Sequence, residues 1–416
     1  MGTPCFQVVR CSNGRYEIKA GSIHGVTKDS LFDLFEKAVS KSQVNKPIGR
    51  LRVAKVYSFT SDAVLESGDG EAAIMVINPG FALQVRSGPE CKLKVHFSEA
   101  LLDKVQLVDV LKGALEYEVD HVAMEHADFG VDLKEGKAVF IAALDIVMEH
   151  GYQGMLPDTV EAEAGPISRV LMAACRWKHH LDTKPSRSLW RDQVHIDFFR
   201  LEQGDDDNFP LERNNSSRLN DGNNKVVITV TPDSDEFYGL EIRNDTRGRR
   251  DLFLLLVLFQ ISDLSIGEHV FVVSGADVEQ SFVSFFLEIL HQSSIGTQAD
   301  GSADPSIPPN ASLPIGWGTG GSPPFTYILP HNVKVDVAIL KMYLTTRPLA
   351  ESFRWLEQAS PFKQPPPPIK SAEEVTARYQ VMGDELRRRL RAHDEQWDTI
   401  LFHVVQRSPE WSEPES

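Results

Sequence analysis

The sequence predicts an α+β, β-rich chain with a small N-terminal β domain, a mixed α/β segment and a C-terminal antiparallel β-sandwich. Three observations predict it. Short alternating apolar runs recur between Gly, Pro and Asn turns, the pattern of half-buried strands. One strong helical stripe, residues 166–181, stands apart from them. The composition, 42% hydrophobic and 25% charged over 416 residues, is enough to bury more than one core.

In residues 1–100, Phe6, Val8 and Arg10 alternate toward Ser12-Asn13-Gly14, and Tyr16, Ile18 and Ala20 follow. That pattern predicts a hairpin. Strands at 48–59, 72–77, 84–86 and 93–97 then complete a small barrel or sandwich. In residues 101–185, helical spacing covers 101–115, and strands are expected at 119–124 and 138–144, with Glu135-Gly136 as a turn. A helix from Pro166 follows, with Ile167, Val170, Leu171, Ala174, Cys175, Trp177 and Leu181 along its buried stripe.

Residues 186–362 read as the sandwich. Strands are expected at 193–201, 226–231, 238–243, 252–260, 325–329, 333–337 and 340–346, with a polar loop at 202–222. The strands 325–329 and 333–337 form a hairpin across Pro330-His331-Asn332. Residues 268–312 are an inserted loop. Within it, 268–292 fits either an insertion forming a helix or a translated intron, since Gly267-Glu268 and Gln292 can be encoded with splice-site sequences. Residues 363–416 comprise a Pro-rich linker at 365–368, an amphipathic helix at 372–393 and a last strand at 397–405 that returns to the folded body.

The formal net charge of -16 argues against nucleic acid and anionic membranes as partners, because phosphate attraction needs a basic face. The basic run 387–391 sits beside Asp384, Glu385, Asp394 and Glu395 and reads as a salt-bridged helix face. No apolar run approaches the roughly 20 residues of a membrane span. Four cysteines, Cys5, Cys11, Cys91 and Cys175, make neither a CxxC pair nor a disulfide framework, which points to a reducing, cytoplasmic setting.

A cysteine peptidase needs a thiolate beside a histidine. His24-Gly25 has that local look, but Cys175 falls on a buried stripe and no cysteine sits in a Gly/Ser loop. The run Gly316-Trp317-Gly318-Thr319-Gly320-Gly321 is glycine-dense, yet Ser322-Pro323-Pro324 replaces the Lys-Ser/Thr and helix of a phosphate loop. Gly316, Trp317, Gly318, Gly320 and Gly321 are therefore the candidate structural or interaction loop. His179 and His180 are adjacent and point to different faces, so they do not share a metal. Asp205-Asp206-Asp207 lacks the remaining ligands of a calcium loop. No catalytic, cofactor-binding or metal residue is assigned, and no cofactor is expected.

Several strings carry a resemblance. They are Ala20-Gly21-Ser22-Ile23-His24-Gly25-Val26-Thr27, Tyr238-Gly239-Leu240-Glu241-Ile242, and Leu313-Pro314-Ile315-Gly316-Trp317-Gly318-Thr319-Gly320-Gly321. Others are Tyr16-Glu17-Ile18, Pro47-Ile48-Gly49, 259–266, Pro324-Phe325-Thr326-Tyr327, Val335-Asp336-Val337, Leu340-Lys341-Met342-Tyr343-Leu344-Thr345-Thr346, Trp397-Asp398-Thr399-Ile400-Leu401 and Val404-Val405-Gln406-Arg407. In chain order they resemble the region after the caspase domain in caspase-like, metacaspase-related proteins of mushroom-forming fungi. The resemblance implies a non-catalytic accessory or interaction module, either a stand-alone homologue of that region or a truncated gene model, with protein partners that include caspase-like proteins. His24-Gly25 matches a non-catalytic loop of the family, and no Asp-x-Cys-x-Ser-Gly string occurs. The alternatives are a lectin-type ligand-binding sandwich using Trp317 as an aromatic platform, or a fragment of a caspase-like cysteine peptidase lacking its catalytic domain.

Overall fold

The computed structural model describes residues 5–11, 14–36, 46–66, 79–112, 118–152, 154–202, 212–220, 224–231, 236–246, 251–267, 307–317, 324–329, 333–346, 356, 358–363 and 396–411. The chain is β-rich. Its first six strands are β1 (Cys5–Arg10), β2 (Tyr16–Ile18), β3 (Leu31–Phe35), β4 (Gly49–Val56), β5 (Ser61–Leu65) and β6 (Gly80–Arg86). They close into a barrel in the order β1-β2-β5-β4-β3-β6. Closure leaves no unpaired edge, and alternate residues such as Val8, Ile18, Phe32, Leu51 and Ala63 fill the interior.

The second sheet uses β7 (Leu93–Phe97), β8 (Val119–His121), β9 (Phe129–Lys134), β10 (Lys137–Ala142) and β11 (Val160–Glu161), in the order β11-β10-β9-β7-β8. The strand at 93–97 therefore belongs to this sheet and not to the barrel. The expected Glu135-Gly136 turn joins β9 to β10. Both residues take positive φ, 51° and 82°, as a tight two-residue hairpin turn demands. The helical spacing at 101–115 resolves into α1 (Glu99–Leu102), capped by Ser98, and α2 (Leu107–Val110), with 113–117 outside the described residues. After α3 (Asp145–Met148) comes the one long helix among the described residues, α4 (Ala164–Asp182), whose expected stripe is buried throughout.

The remaining strands are β12 (Val194–Glu202), β13 (Glu212–Arg218), β14 (Lys225–Thr229), β15 (Phe237–Asn244), β16 (Phe253–Gln260), β17 (Ile266–Gly267), β18 (Ala311–Ile315), β19 (Val335–Thr345) and β20 (Trp397–Arg407). They make two sheets, β13-β12-β15-β18 and β14-β20-β19-β16-β17. Phe198 of the first stacks on Phe402 of the second at 5.8 Å, and one apolar cluster spans both.

The five-stranded sheet is buried on both faces. Ala338, Leu340, Met342 and Leu344 of β19 meet the four-stranded sheet, while Val337, Ile339 and Tyr343 join the cluster that holds α4 and the second sheet. Trp177 of α4 sets its ring against Phe259 of β16 at 5.7 Å. A strand buried on two sides reads as a continuous apolar run, which is why residues 252–260 are the most apolar stretch of the chain.

The structure corrects several expectations. Residues 212–218, expected to lie in a loop, form β13, because the main chain pairs with β12 whatever the polarity of the sequence. The hairpin at 325–337 does not form. Phe325 bridges Tyr238 of β15 in the other sheet, and residues 335–345 are a single strand paired with β16 and β20. The five-stranded sheet is not wholly antiparallel, since β14 runs parallel to β20. Part of the inserted loop is ordered strand, with Ile307 bridging Leu252 and β18 pairing with β15. The last strand does return, taking a place between β14 and β19. The expected strand at 72–77, the segment 268–292, the proline run 365–368 and the helix 372–393 lie outside the described residues.

Candidate functional site

Of the candidate glycine loop, Gly316 and Trp317 are described, while Gly318, Gly320 and Gly321 lie outside the described residues. Gly316 turns the chain off β18 at φ 95°, in the left-handed region that favours glycine. Trp317 then folds back onto the sheet. Its ring stands edge-on to Phe199 at 5.5 Å, and a Cβ at Gly239 would lie 2.4 Å from its Cε3. Gly239 is thus the seat for a half-buried indole, and Trp317 covers the outer face of the sheet.

None of the four cysteines is joined in a disulfide. Burial pushes the Cys175 thiol far up, and Cys175 donates to the Glu118 carbonyl at 3.7 Å. Cys11 is also raised, first by burial and then by the Glu17 and Asp62 carboxylates. Both are thiols rather than thiolates at neutral pH. His24-Gly25 has a fold role. The Gly21 N–H donates to His24 Nδ1 at 3.0 Å, and Gly25 ends the 3-10 turn Ser22–His24 with φ 78°. The Gly25 carbonyl lies 2.8 Å from His179 Nε2, and a Cβ at Gly25 would meet that nitrogen at 2.5 Å. The His179 and His180 rings lie with centroids 5.3 Å apart, both beside Gly25, and burial lowers both imidazoles. The Asp205-Asp206-Asp207 run lies outside the described residues.

Lys341 lies beside the C-terminus of α4, in the middle of the doubly buried β19 and fully shielded from solvent. Its ammonium donates to the carbonyls of His180 at 2.6 Å and Leu181 at 2.9 Å, and also to that of Thr183. Burial pulls the group down to about 7, and the Asp182 carboxylate acts in the opposite direction. The helix C-terminus also favours the charged form. This lysine satisfies carbonyls that the helix end leaves without intrahelical partners.

A second polar cluster was not legible in the sequence. His150 follows α3, and His403 lies 253 positions on, in β20. Their Nε2 and Nδ1 atoms are 2.9 Å apart, and Glu149 Oε1 is 3.5 Å from His150 Nε2. His150 is only 4% exposed, and its Nδ1 has no hydrogen-bond partner. Burial is the first cause that lowers both rings, His150 to about 4. The available signal was His403 itself, a polar residue within the apolar run of β20.

Comparison with known proteins returned no matching family model, no matching curated protein and no matching solved structure.

Proposed function

We propose that this chain is a non-catalytic interaction module, built on a C-terminal β-sandwich, that binds an extended segment of a protein partner at the edge strand β14. The observation that carries the reading is the one-sided pairing of β14, which among the described residues stands at the end of its sheet beside β20. Asn224 and Val230 bond toward β20, so the alternation turns the main-chain groups of Lys225, Val227 and Thr229 away from it. Val227 is 43% exposed. An apolar edge of this kind is a template for an added strand. The partner class to test first is a caspase-like protein, on the resemblance of the sequence. Cysteines without a disulfide fit a reducing compartment, and no described helix is long and apolar enough to cross a membrane.

The experiment is a titration with a purified caspase-like protein, followed by hydrogen exchange. Saturable binding that slows exchange at Val227 and is lost in Val227→Pro supports the reading. That proline removes an outward N–H and spares the β20 ladder. No saturable binding overturns the partner, and a complex with unchanged exchange at β14 overturns the surface.

A further inference from the structure

Glu149, His150 and His403 converge from the turn after α3 and from β20, and one donor atom of each lies within 4.8 Å of the others. We propose that these three side chains bind a divalent transition-metal cation of the Zn2+ class. Two imidazoles and one carboxylate are a donor set that suits zinc, with the fourth position left to water. The facing His150 Nε2 and His403 Nδ1 atoms can each offer a ring lone pair to a metal.

The geometry is close to what a cation needs. Tetrahedral coordination with bonds of about 2.0–2.1 Å places two ligand nitrogens about 3.3 Å apart. The 2.9 Å pair therefore has to open by only a few tenths of an ångström. Without metal, one ring proton lies between the two nitrogens. On binding, that proton moves to the remote nitrogen of the same ring, and no net proton is released by the imidazoles. Glu149 is 59% exposed, so its carboxylate is free to swing onto the cation from the solvent side. Lys225 and Arg407 lie close enough to lower His150, and they oppose a cation, which the Glu149 charge offsets in part. This proposal does not rest on the β14 edge reading.

The test uses the untagged full chain, stripped with a chelator and dialysed against Zn2+, then against Co2+. One bound equivalent and a Co2+ absorption spectrum of low coordination number are expected. Glu149→Gln and His403→Gln should each weaken uptake by at least about tenfold, the scale on which even outer partners of a metal matter. Glu149 is largely exposed, so Glu149→Gln decides the matter should His403→Gln fail to fold. No uptake by the wild-type chain, or full uptake by Glu149→Gln with an unchanged Co2+ spectrum, overturns the site.

Discussion

Lys341 places its ammonium 2.6 Å from the main-chain carbonyl oxygen of His180, donating a hydrogen bond from the centre of a buried strand to the last turn of α4. The same nitrogen serves Leu181 and Thr183, so one side chain joins the five-stranded sheet to the end of the helix. Lys341→Ala removes the donor, strands three carbonyls and opens a cavity. A loss of about 3–5 kcal/mol is expected in denaturant unfolding. Lys341→Met fills the volume without the donor and should still cost more than about 1 kcal/mol. A Met variant as stable as wild type would mean that those carbonyls have other partners.

Asp336 gives a pH dependence with a defined sign. Burial raises its carboxyl to about 6, while the Val337 N–H at 2.9 Å and the Ser262 hydroxyl at 3.1 Å pull it down. The folded chain therefore holds a proton that the unfolded chain has released, from the ordinary carboxylate range up to about 6. This group makes stability fall as pH rises through that window, by at most about 3 kcal/mol at 1.36 kcal/mol per unit. Buried histidines such as His180 slope the other way, since their lowered folded values make stability rise with pH. The difference between Asp336→Asn and wild type isolates the aspartate. It should grow in favour of the variant from pH 4 to pH 6. A difference that stays flat across that range would remove Asp336 as its source.

Thiol labelling separates the cysteines by burial. Cys5, Cys11 and Cys91 are half-buried, whereas Cys175 lies inside α4 with its thiol pushed up. A thiol reagent should leave one cysteine per chain unmodified until denaturant is added, and peptide mapping should place it at Cys175. Modification of Cys175 at the rate of the others in the folded chain would contradict its packing.

What was legible in the sequence was local. The α4 stripe, the β12, β15 and β16 strands and the Glu135-Gly136 turn each carry their signal within a few residues. What was not legible depends on pairing across the chain. Phe325 alternates with Tyr327 as a strand would, yet it bridges Tyr238, because β18 ends opposite Leu240 and Phe325 continues the pairing along β15. β13 is polar and reads as loop, yet its main chain has β12 to bond. The candidate metal site fails the same way, because His150 and His403 are brought together only when β20 enters the sheet. Trp317 was legible as an aromatic in a glycine run, but not that Gly239 provides its seat.

The last strand is the closing element of the fold, and its removal is the most demanding test of this architecture. β20 lies between β14 and β19, pairing antiparallel with β19 along its length and parallel with β14 from His403 to Arg407. Ile400, Phe402 and Val404 fill the core against the four-stranded sheet, and Trp397 fills the core on the opposite face. Its first two residues also tie down distant segments. Trp397 Nε1 donates to Ser22 Oγ of the barrel loop at 3.2 Å. The buried Asp398 accepts from the Leu189 and Trp190 N–H groups at 2.6 and 2.7 Å. A chain ending at residue 396 loses both ladders at once and exposes both cores. Burial of each large apolar side chain is worth about 1.5–3 kcal/mol, so these four alone account for about 6–12 kcal/mol, the scale of the roughly 5–15 kcal/mol that holds a typical domain together. The truncated chain should show no cooperative unfolding of the C-terminal sheets. Phe402→Ala alone should cost about 3–5 kcal/mol. Calorimetry of both variants decides it: a truncated chain that melts within a few degrees of the full one would mean that β20 is an appendage and not an interior strand of its sheet.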